Sequence, residues 1–365
     1  MEECVRWNTG EETILLPKRN DARKLYLEVT SACNFSCITC IRHSWREKDE
    51  YMPFALFEKL LADAQEFPDI KTIHFGGFGE SLLHPDILAM LALCKKNGYK
   101  TEMITNGSLL TPSMLERLID LELEWLFVSL DGPDEKSFKQ IRPGAAGFTE
   151  VTDAVRMLQT MKKAKKKMRP LLGVEFVMMK DNYQQIPAIR RLANELRANK
   201  LLLTNLLPYH ESMKEQILYG EATPDLKKFG SDASMLSILT MGKFEITSWR
   251  DCKFVQDKAM VISATGEVSP CYAFLHNYTC YIMGREKKVK AQSFGNLNEK
   301  SLSEIWTEAS YRVFRYTVRN NLYPSCTDCP QVDGCVMSQD NEADCWGITP
   351  ACGDCLWARS IVLCP

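Results

Sequence analysis

From Leu25 to about Asn205 the chain alternates short apolar or β-branched runs with stretches whose apolar residues recur at helical spacing. Leu25–Val29, Ile70–Phe75, Lys100–Ile104, Trp125–Leu130, Leu172–Met178 and Lys200–Thr204 read as strands. Between them Phe57, Leu60, Leu61 and Ala64 follow the i, i+3, i+4, i+7 pattern of a helix with one buried face. Val151, Ala154, Val155, Leu158 and Met161 repeat that pattern, as do Ile186, Ile189, Leu192, Ala193 and Leu196. Strands that alternate with helices pair in parallel through right-handed crossovers. The expected fold is therefore α/β. Six units are two short of a closed eight-stranded barrel, so a partial (β/α)6 barrel is preferred over an open doubly wound sheet.

Beyond residue 205 the pattern changes. Ala259–Ile262 and Glu267–Ser269 flank Ser263-Ala-Thr-Gly266 and read as a hairpin, which would bring Cys252 and Cys271 together. Ser301-Leu-Ser-Glu304 has the form of a capping box opening a helix that runs to Arg319. Ten of the fifteen cysteines lie between Cys252 and Cys364, which marks a domain change. The division expected is an N-terminal extension over 1–22, a core barrel over 23–210, a linker over 211–250 and a small cysteine-rich α+β domain over 251–365.

Composition narrows the class of partner. A net charge of −2 gives no reason to expect nucleic acid or an anionic membrane. The basic stretch Lys162–Arg169 reads as a solvated helix end whose cations complement the macrodipole. Met1–Gly10 lacks an apolar signal core and no run is long enough to span a bilayer, so a cytoplasmic protein is expected. Fifteen cysteines in a reducing compartment are better explained by metal clusters than by disulfides.

In either arrangement of parallel strands, ligands gather where strands end and helices have not begun. Strand one is followed by Cys33-x3-Cys37-x2-Cys40, strand two by Gly76-Gly77-Phe78-Gly79-Glu80, and strand three by Thr105-Asn106-Gly107. Strand four ends in Ser129-Leu130-Asp131-Gly132. Three thiolates on one loop can hold three irons of a [4Fe–4S] cube and leave the fourth open. Zinc is the rival, with His43 as a possible further ligand. Glycines let a ligand approach the backbone, Glu80 can accept from an ammonium group, and Ser129 with Asp131 can bind vicinal ribose hydroxyls. Arg142 can pair with a carboxylate of the ligand, while Asn106 and Ser129 taken singly read as turn and capping residues. An amino acid joined to a nucleoside answers this set.

The order and spacing of these motifs resemble the radical S-adenosylmethionine (SAM) enzymes over Tyr26 to about Asn205. The resemblance implies that Cys33, Cys37 and Cys40 bind a reducible [4Fe–4S] cluster. It also implies that Gly77, Gly79 and Glu80 receive the methionine moiety of SAM, and that Asn106, Ser129, Asp131 and Arg142 contact its remaining polar groups. SAM is then cleaved reductively to a 5′-deoxyadenosyl radical. Thr39 stands where many relatives carry an aromatic residue, and the glycine–glutamate loop has Phe78 and Gly79 interposed, with Ser81 in place of proline.

The C-terminal pairs Cys326/Cys329 and Cys352/Cys355 leave zinc and iron–sulfur open by spacing alone. Cys252-x13-Gly266-x4-Cys271 followed by Cys326-x2-Cys329-x5-Cys335 resembles the SPASM domain, which implies auxiliary [4Fe–4S] clusters, two of them in this chain. Cys252 and Cys271 would serve one, Cys326, Cys329 and Cys335 the other, with Cys345, Cys352, Cys355 and Cys364 as the remaining candidate ligands. Position 339 is Gln where the pattern asks for a cysteine, and Cys345 is the expected replacement. The ending from Asp344 to Cys364 resembles the maturases associated with tungsten cofactor oxidoreductases. That implies an anaerobe's enzyme modifying a protein, peptide or cofactor, with reduced ferredoxin or flavodoxin as electron donor. Sulfatase maturation and thioether cross-linking of peptides are the alternatives within the class. A zinc or iron–sulfur electron-transfer scaffold is the non-enzymatic one.

Overall fold

The computed structural model describes residues 3–10, 12–144, 147–220 and 238–364. Strands β1 (Cys4–Asn8) and β2 (Thr13–Pro17) pair as an antiparallel hairpin ahead of the main sheet. Then come β3 (Lys24–Leu27), α1 (Phe54–Ala64), β4 (Thr72–Phe75), α2 (Ile87–Lys96), β5 (Lys100–Thr105), α3 (Pro112–Asp120) and β6 (Trp125–Ser129). Two helices, α4 (Glu135–Ile141) and α5 (Phe148–Ala164), lead to β7 (Leu171–Met178), α6 (Ile186–Glu195) and β8 (Lys200–Asn205). Strands β3 to β8 lie in chain order and all pair in parallel. A doubly wound sheet reverses its strand order partway, and no reversal occurs here. The fold is the partial barrel, formed by the six strands read from the sequence.

The sheet does not stop at six strands. β9 (Ile238–Met241), in the segment expected to be a linker, extends it in parallel beside β8. A short helix α7 (Lys253–Gln256) leads to β10 (Ala259–Ile262), which pairs in parallel with β3, and β11 (Val268–Ser269) folds back on β10. The expected hairpin therefore exists, but it completes the edge of the barrel sheet rather than opening a separate layer. A second hairpin, β12 (Tyr278–Ile282) with β13 (Arg285–Val289), stands apart from that sheet. The expected helix to Arg319 is two helices, α8 (Leu302–Thr307) and α9 (Ala309–Arg319). Glu308 between them is extended at ψ 140°, which breaks the run. The capping box at Ser301 and Glu304 is formed.

The strands alternate in what they bury. In β7, Leu172, Val174, Phe176 and Met178 join the main apolar core, while Glu175 and Val177 line the barrel cavity. Gly173 leaves the space that the Phe127 ring of β6 occupies. The helices cover the outer face through the periodic residues of α1, α5 and α6. The basic stretch after α5 is neutralised by carboxylates, with Lys165 on Glu116 and Asp120, Lys167 on Glu122, and Arg169 on Glu124. Among the described residues, no helix is long and apolar enough to cross a membrane.

Because β10 belongs to the barrel sheet, the N- and C-terminal halves should unfold together. Ile262 is fully buried on that strand. Ile262→Ala should cost about 2–5 kcal/mol and lower one shared thermal transition; two separately shifted transitions would contradict the continuous sheet.

Candidate functional site

A cavity of about 290 Å³ lies at the ends of the parallel strands, close to the lower bound of about 300 Å³ usual for small-molecule sites. It is lined by Cys33, Cys37 and Cys40, by Gly77 to Glu80, and by Asn106, Ser129, Asp131 and Arg142. Every candidate read from the N-terminal half thus faces one space. His74, Glu175, Tyr272, Trp357 and Cys364 complete its wall. Residues of β4 and β8 meet across it, which requires the sheet to curl.

The cysteine loop is held from several sides. Cys40 N–H donates to the Cys37 carbonyl at 3.0 Å, and Tyr209 Oη donates to the Ile38 carbonyl at 2.7 Å. His43 Nε2 lies 3.1 Å from the Cys37 carbonyl, a backbone contact, and its ring stacks on Tyr209. Burial pushes the Cys33 and Cys40 thiols up, and Cys37 up to about 12. Thiolates in such a place need a bound cation to stabilise them. Among the described residues, no three His, Cys, Asp or Glu side chains converge closely enough to share one metal ion. A cube spreads its thiolates over separate irons and asks for no such convergence.

Glu80 is buried, and its carboxylate joins its own loop to the end of β5. Oε1 accepts from Thr105 Oγ1 at 2.8 Å and Leu82 N–H at 3.1 Å, and Oε2 accepts from Asn106 N–H at 2.7 Å. Burial pushes its carboxyl up against the opposing pull of these donors. Asn106 carries the link onward, its Nδ2 donating to Asn34 Oδ1 at 2.9 Å with Cys33 Sγ at 4.0 Å. Asn106 is more than a turn residue, since it ties the end of β5 to the cysteine loop. The glycines need correction. A Cβ on Gly77, where φ is +106°, would strike the Glu28 side chain, and one on Gly79 would strike the Thr30 and Ala32 carbonyls. Their smallness serves the chain's own packing, beyond any approach of a ligand.

Asp131 and Arg142 also differ from expectation. Arg142 donates to Asp131 Oδ2 through Nε at 2.9 Å and Nη2 at 2.8 Å, and Asp131 Oδ1 accepts from Val177 N–H at 3.3 Å. Asp131 therefore neutralises Arg142, and the carboxylate beside Ser129 is that of Glu175, whose Oε2 accepts from Ser129 Oγ at 3.3 Å. Arg142 Nη1 is buried with no partner among the described residues. A guanidinium nitrogen left unpaired against the cysteine-lined cavity suits the carboxylate of SAM, so the residues present fit the group. Sequence reasoning missed Glu175. The signal was a single acid inside the apolar run Gly173-Val-Glu-Phe-Val177.

The C-terminal cysteines separate into groups. Cys252, Cys271, Cys352 and Cys355 line one small apolar cavity with Phe274, Phe314 and Val318. Burial pushes Cys252 up to about 12, and Cys271, Cys352 and Cys355 up as well. Four thiols around one dry space fit a cluster closed by protein. Cys326, raised to about 11 by burial, feels the charge of Cys345, and Cys329 and Cys335 follow it on the same loop. Cys364 is a correction. It lines the barrel cavity, where Trp357 Nε1 donates to its sulfur at 3.2 Å, and it is absent from the lining of the four-cysteine space. Cys280 is buried next to the Lys287–Asp354 ion pair, at 2.7 Å. Cys94 is buried in the core on the inner face of α2.

Glu175 sets a pH test. Burial, then the Asp131 charge, raises its carboxyl to about 7. From about pH 4.5 to 7 the folded chain then keeps a proton that the unfolded chain has released, so stability falls as pH rises through that window. Glu175→Gln should flatten this dependence in thermal melts at pH 5 and pH 7.5; an identical slope in both proteins would contradict it.

Residues 27–193 match the radical SAM superfamily and 252–330 the SPASM iron–sulfur cluster-binding domain. A protein of Pyrococcus furiosus named as a tungsten-containing aldehyde ferredoxin oxidoreductase cofactor-modifying protein is 40% identical over 345 residues, 93% of this chain and 96% of that one. Streptococcus suis SuiB bound to SAM superposes with a TM-score of 0.62 at 18% identity, covering 88% of this chain and 73% of that chain. The protein anSMEcpe with bound SAM also gives 0.62, at 17% identity, covering 85% and 84%. The shared cavity, the cysteine loop on its rim and these likenesses agree, and the chain belongs to the radical SAM superfamily, as an enzyme with a SPASM domain that uses a [4Fe–4S] cluster and SAM.

Proposed function

We propose that this enzyme matures a tungsten-containing oxidoreductase by modifying its cofactor or the protein that carries it. One observation carries the reading, the 40% identity that runs through 93% of the chain, barrel and cysteine-rich domain alike, to a relative named for that task. The peptide-maturation alternative has the shared fold in its favour, as in SuiB bound to the precursor peptide SuiA at 18% identity.

In this reading Cys33, Cys37 and Cys40 hold the SAM-binding cluster. Arg142 Nη1 receives the SAM carboxylate, and Asp131 holds the guanidinium in place. Gly77, Gly79 and Glu80 form the wall for the methionine amine, and Ser129 with Glu175 offers the hydroxyl and carboxylate for the ribose. Asn106 positions the cysteine loop. When bound, the cluster supplies the electron that cleaves SAM to methionine and a 5′-deoxyadenosyl radical, which takes hydrogen from the substrate. The apolar lining of the cavity, with Phe35, Ile104, Val177 and Leu206, excludes water from that radical. Cys252, Cys271, Cys352 and Cys355 hold one auxiliary cluster, and Cys326, Cys329 and Cys335 with Cys345 hold the second. Reduced ferredoxin or flavodoxin in the cytoplasm supplies electrons. Residues 23–210 form the SAM-binding unit and 251–365 the auxiliary unit, joined through β10.

Anaerobically reconstituted protein with dithionite should convert SAM to 5′-deoxyadenosine. The triple replacement Cys33/Cys37/Cys40→Ala should reduce the yield at least a hundredfold while keeping the iron of the C-terminal sites. Tungsten oxidoreductase isolated from cells lacking the enzyme should shift in cofactor or subunit mass on incubation. An unchanged mass beside continued SAM cleavage would sink the tungsten assignment.

A further inference from the structure

We propose that Cys364 is the hydrogen-atom donor to carbon radicals formed in the barrel cavity. The inference rests on the radical SAM reading and adds a residue to it. Three observations lead there. The end of the chain is clipped into the barrel, Leu363 N–H donating to Thr204 Oγ1 at 2.8 Å and Asn205 Nδ2 to the Ile361 carbonyl at 3.0 Å. That fastening sets the Cys364 sulfur in the wall of the cavity that the N-terminal cysteine loop also lines. Four other cysteines already surround the neighbouring iron–sulfur space, so Cys364 is not needed to close it.

Among the polar atoms of the same wall with no partner among the described residues are His74 Nε2 and Tyr272 Oη. Both belong to residues more than nine-tenths buried, at 0% and 5% exposure. A Cβ placed on Gly76 would lie 2.8 Å from the first and 3.0 Å from the second, so they approach one spot. Buried polar atoms seldom stay unpaired, and a polar group of the substrate would pair them beside Cys364. Burial also keeps the Cys364 sulfur protonated, with its thiol pushed up to about 12.

A thiol S–H bond is weaker than the C–H bonds of most substrates, so transfer of its hydrogen to a carbon radical runs downhill. The step is R• + Cys364–SH → R–H + Cys364–S•. The C–H bond forms, the S–H bond breaks, and the odd electron moves to sulfur. One electron from an iron–sulfur centre and one proton then restore the thiol. Cys355, a candidate ligand of the four-cysteine site, is near enough for its charge to act on Cys364, and Glu175 acts on it as well. Glu175 lines the same cavity as a carboxyl able to carry that proton.

The probe is SAM alone, with dithionite, in D₂O, where the thiol exchanges to S–D and the 5′-deoxyadenosyl radical is the carbon radical to be quenched. Wild type should form 5′-deoxyadenosine carrying one deuterium. Cys364→Ala and Cys364→Ser should each lower the deuterated fraction at least fivefold at equal dithionite. Serine keeps the shape and an exchangeable hydrogen, but its O–H bond is too strong to give the atom up, so it carries the test if the alanine variant does not fold. Iron and labile sulfide content should match wild type. An undiminished deuterated fraction in the variants overturns the proposal. So does loss of about four irons, which would make Cys364 a cluster ligand, and so does loss of SAM cleavage with full iron content, because a donor acts after cleavage. If wild type itself forms no 5′-deoxyadenosine, the radical SAM reading fails instead.

Discussion

The carboxylate of Glu80 is the fastening on which the site depends. Its acceptor positions draw together the glycine loop after β4 and the end of β5, and Asn106 passes the constraint to the cysteine loop through Asn34. Each hydrogen bond to a charged group is worth about 1.5–3 kcal/mol, and the cost of leaving a buried carboxylate unsatisfied exceeds that gain. Three loops separated by many residues therefore adopt one mutual geometry or none. A cluster held by a single loop of thiolates needs such rigidity, because the loop cannot brace itself.

Around this fastening the barrel interior is more charged than its strands suggest. Asp131 and Arg142 form a buried pair, and Lys24, His74 and Glu102 another group below the cavity, with Glu102 on His74 Nδ1 at 3.3 Å and on Lys24 at 2.7 Å. Burial raises the Glu102 carboxyl, yet His74 and Lys24 together bring it down to about 2. These interior charges are paired, as burial demands. Glu175 is the exception, with one long hydrogen bond from Ser129 and a negative neighbour in Asp131, and it is the acid held near neutrality. Imperfect satisfaction at a few points, Glu175, Arg142 Nη1 and His74 Nε2 among them, is what a reactive site displays.

The C-terminal domain is built into the barrel rather than tethered to it. β10 extends the sheet from β3, and the turn after β11 delivers Cys271 to the four-cysteine space and Tyr272 to the barrel cavity. Cys355 and Trp357 repeat that arrangement, one on each side of a thin wall. Glu28 adds a further brace. It lies behind Gly77 and meets His276, which in turn meets Glu47, with contacts of 2.6 and 2.5 Å. Burial works against charge on His276, but the two carboxylates outweigh it and raise the imidazole's pKa. The two cysteine-lined spaces are thereby held at a fixed separation by a shared sheet.

Local pattern was enough to determine much of this protein. The strand–helix alternation, the rim loops and the cysteine spacings are carried by neighbours in the chain, so the six parallel strands, the hairpin near residue 265 and the capping box at Ser301 were legible without a structure. Partnership was not. Whether Asp131 faces a ribose or Arg142, whether Ser129 meets Asp131 or Glu175, and which late cysteines share a space depend on residues brought together across as many as a hundred positions. Cys364 shows the limit most plainly, for its spacing placed it with the other C-terminal cysteines, while the hydrogen bonds of Leu363 and Asn205 drew it into the barrel. Residue type and spacing set which groups are available. Only the closing of the sheet and the satisfaction of buried polar atoms decided which of them meet, because those energies exist only between segments that folding has made neighbours.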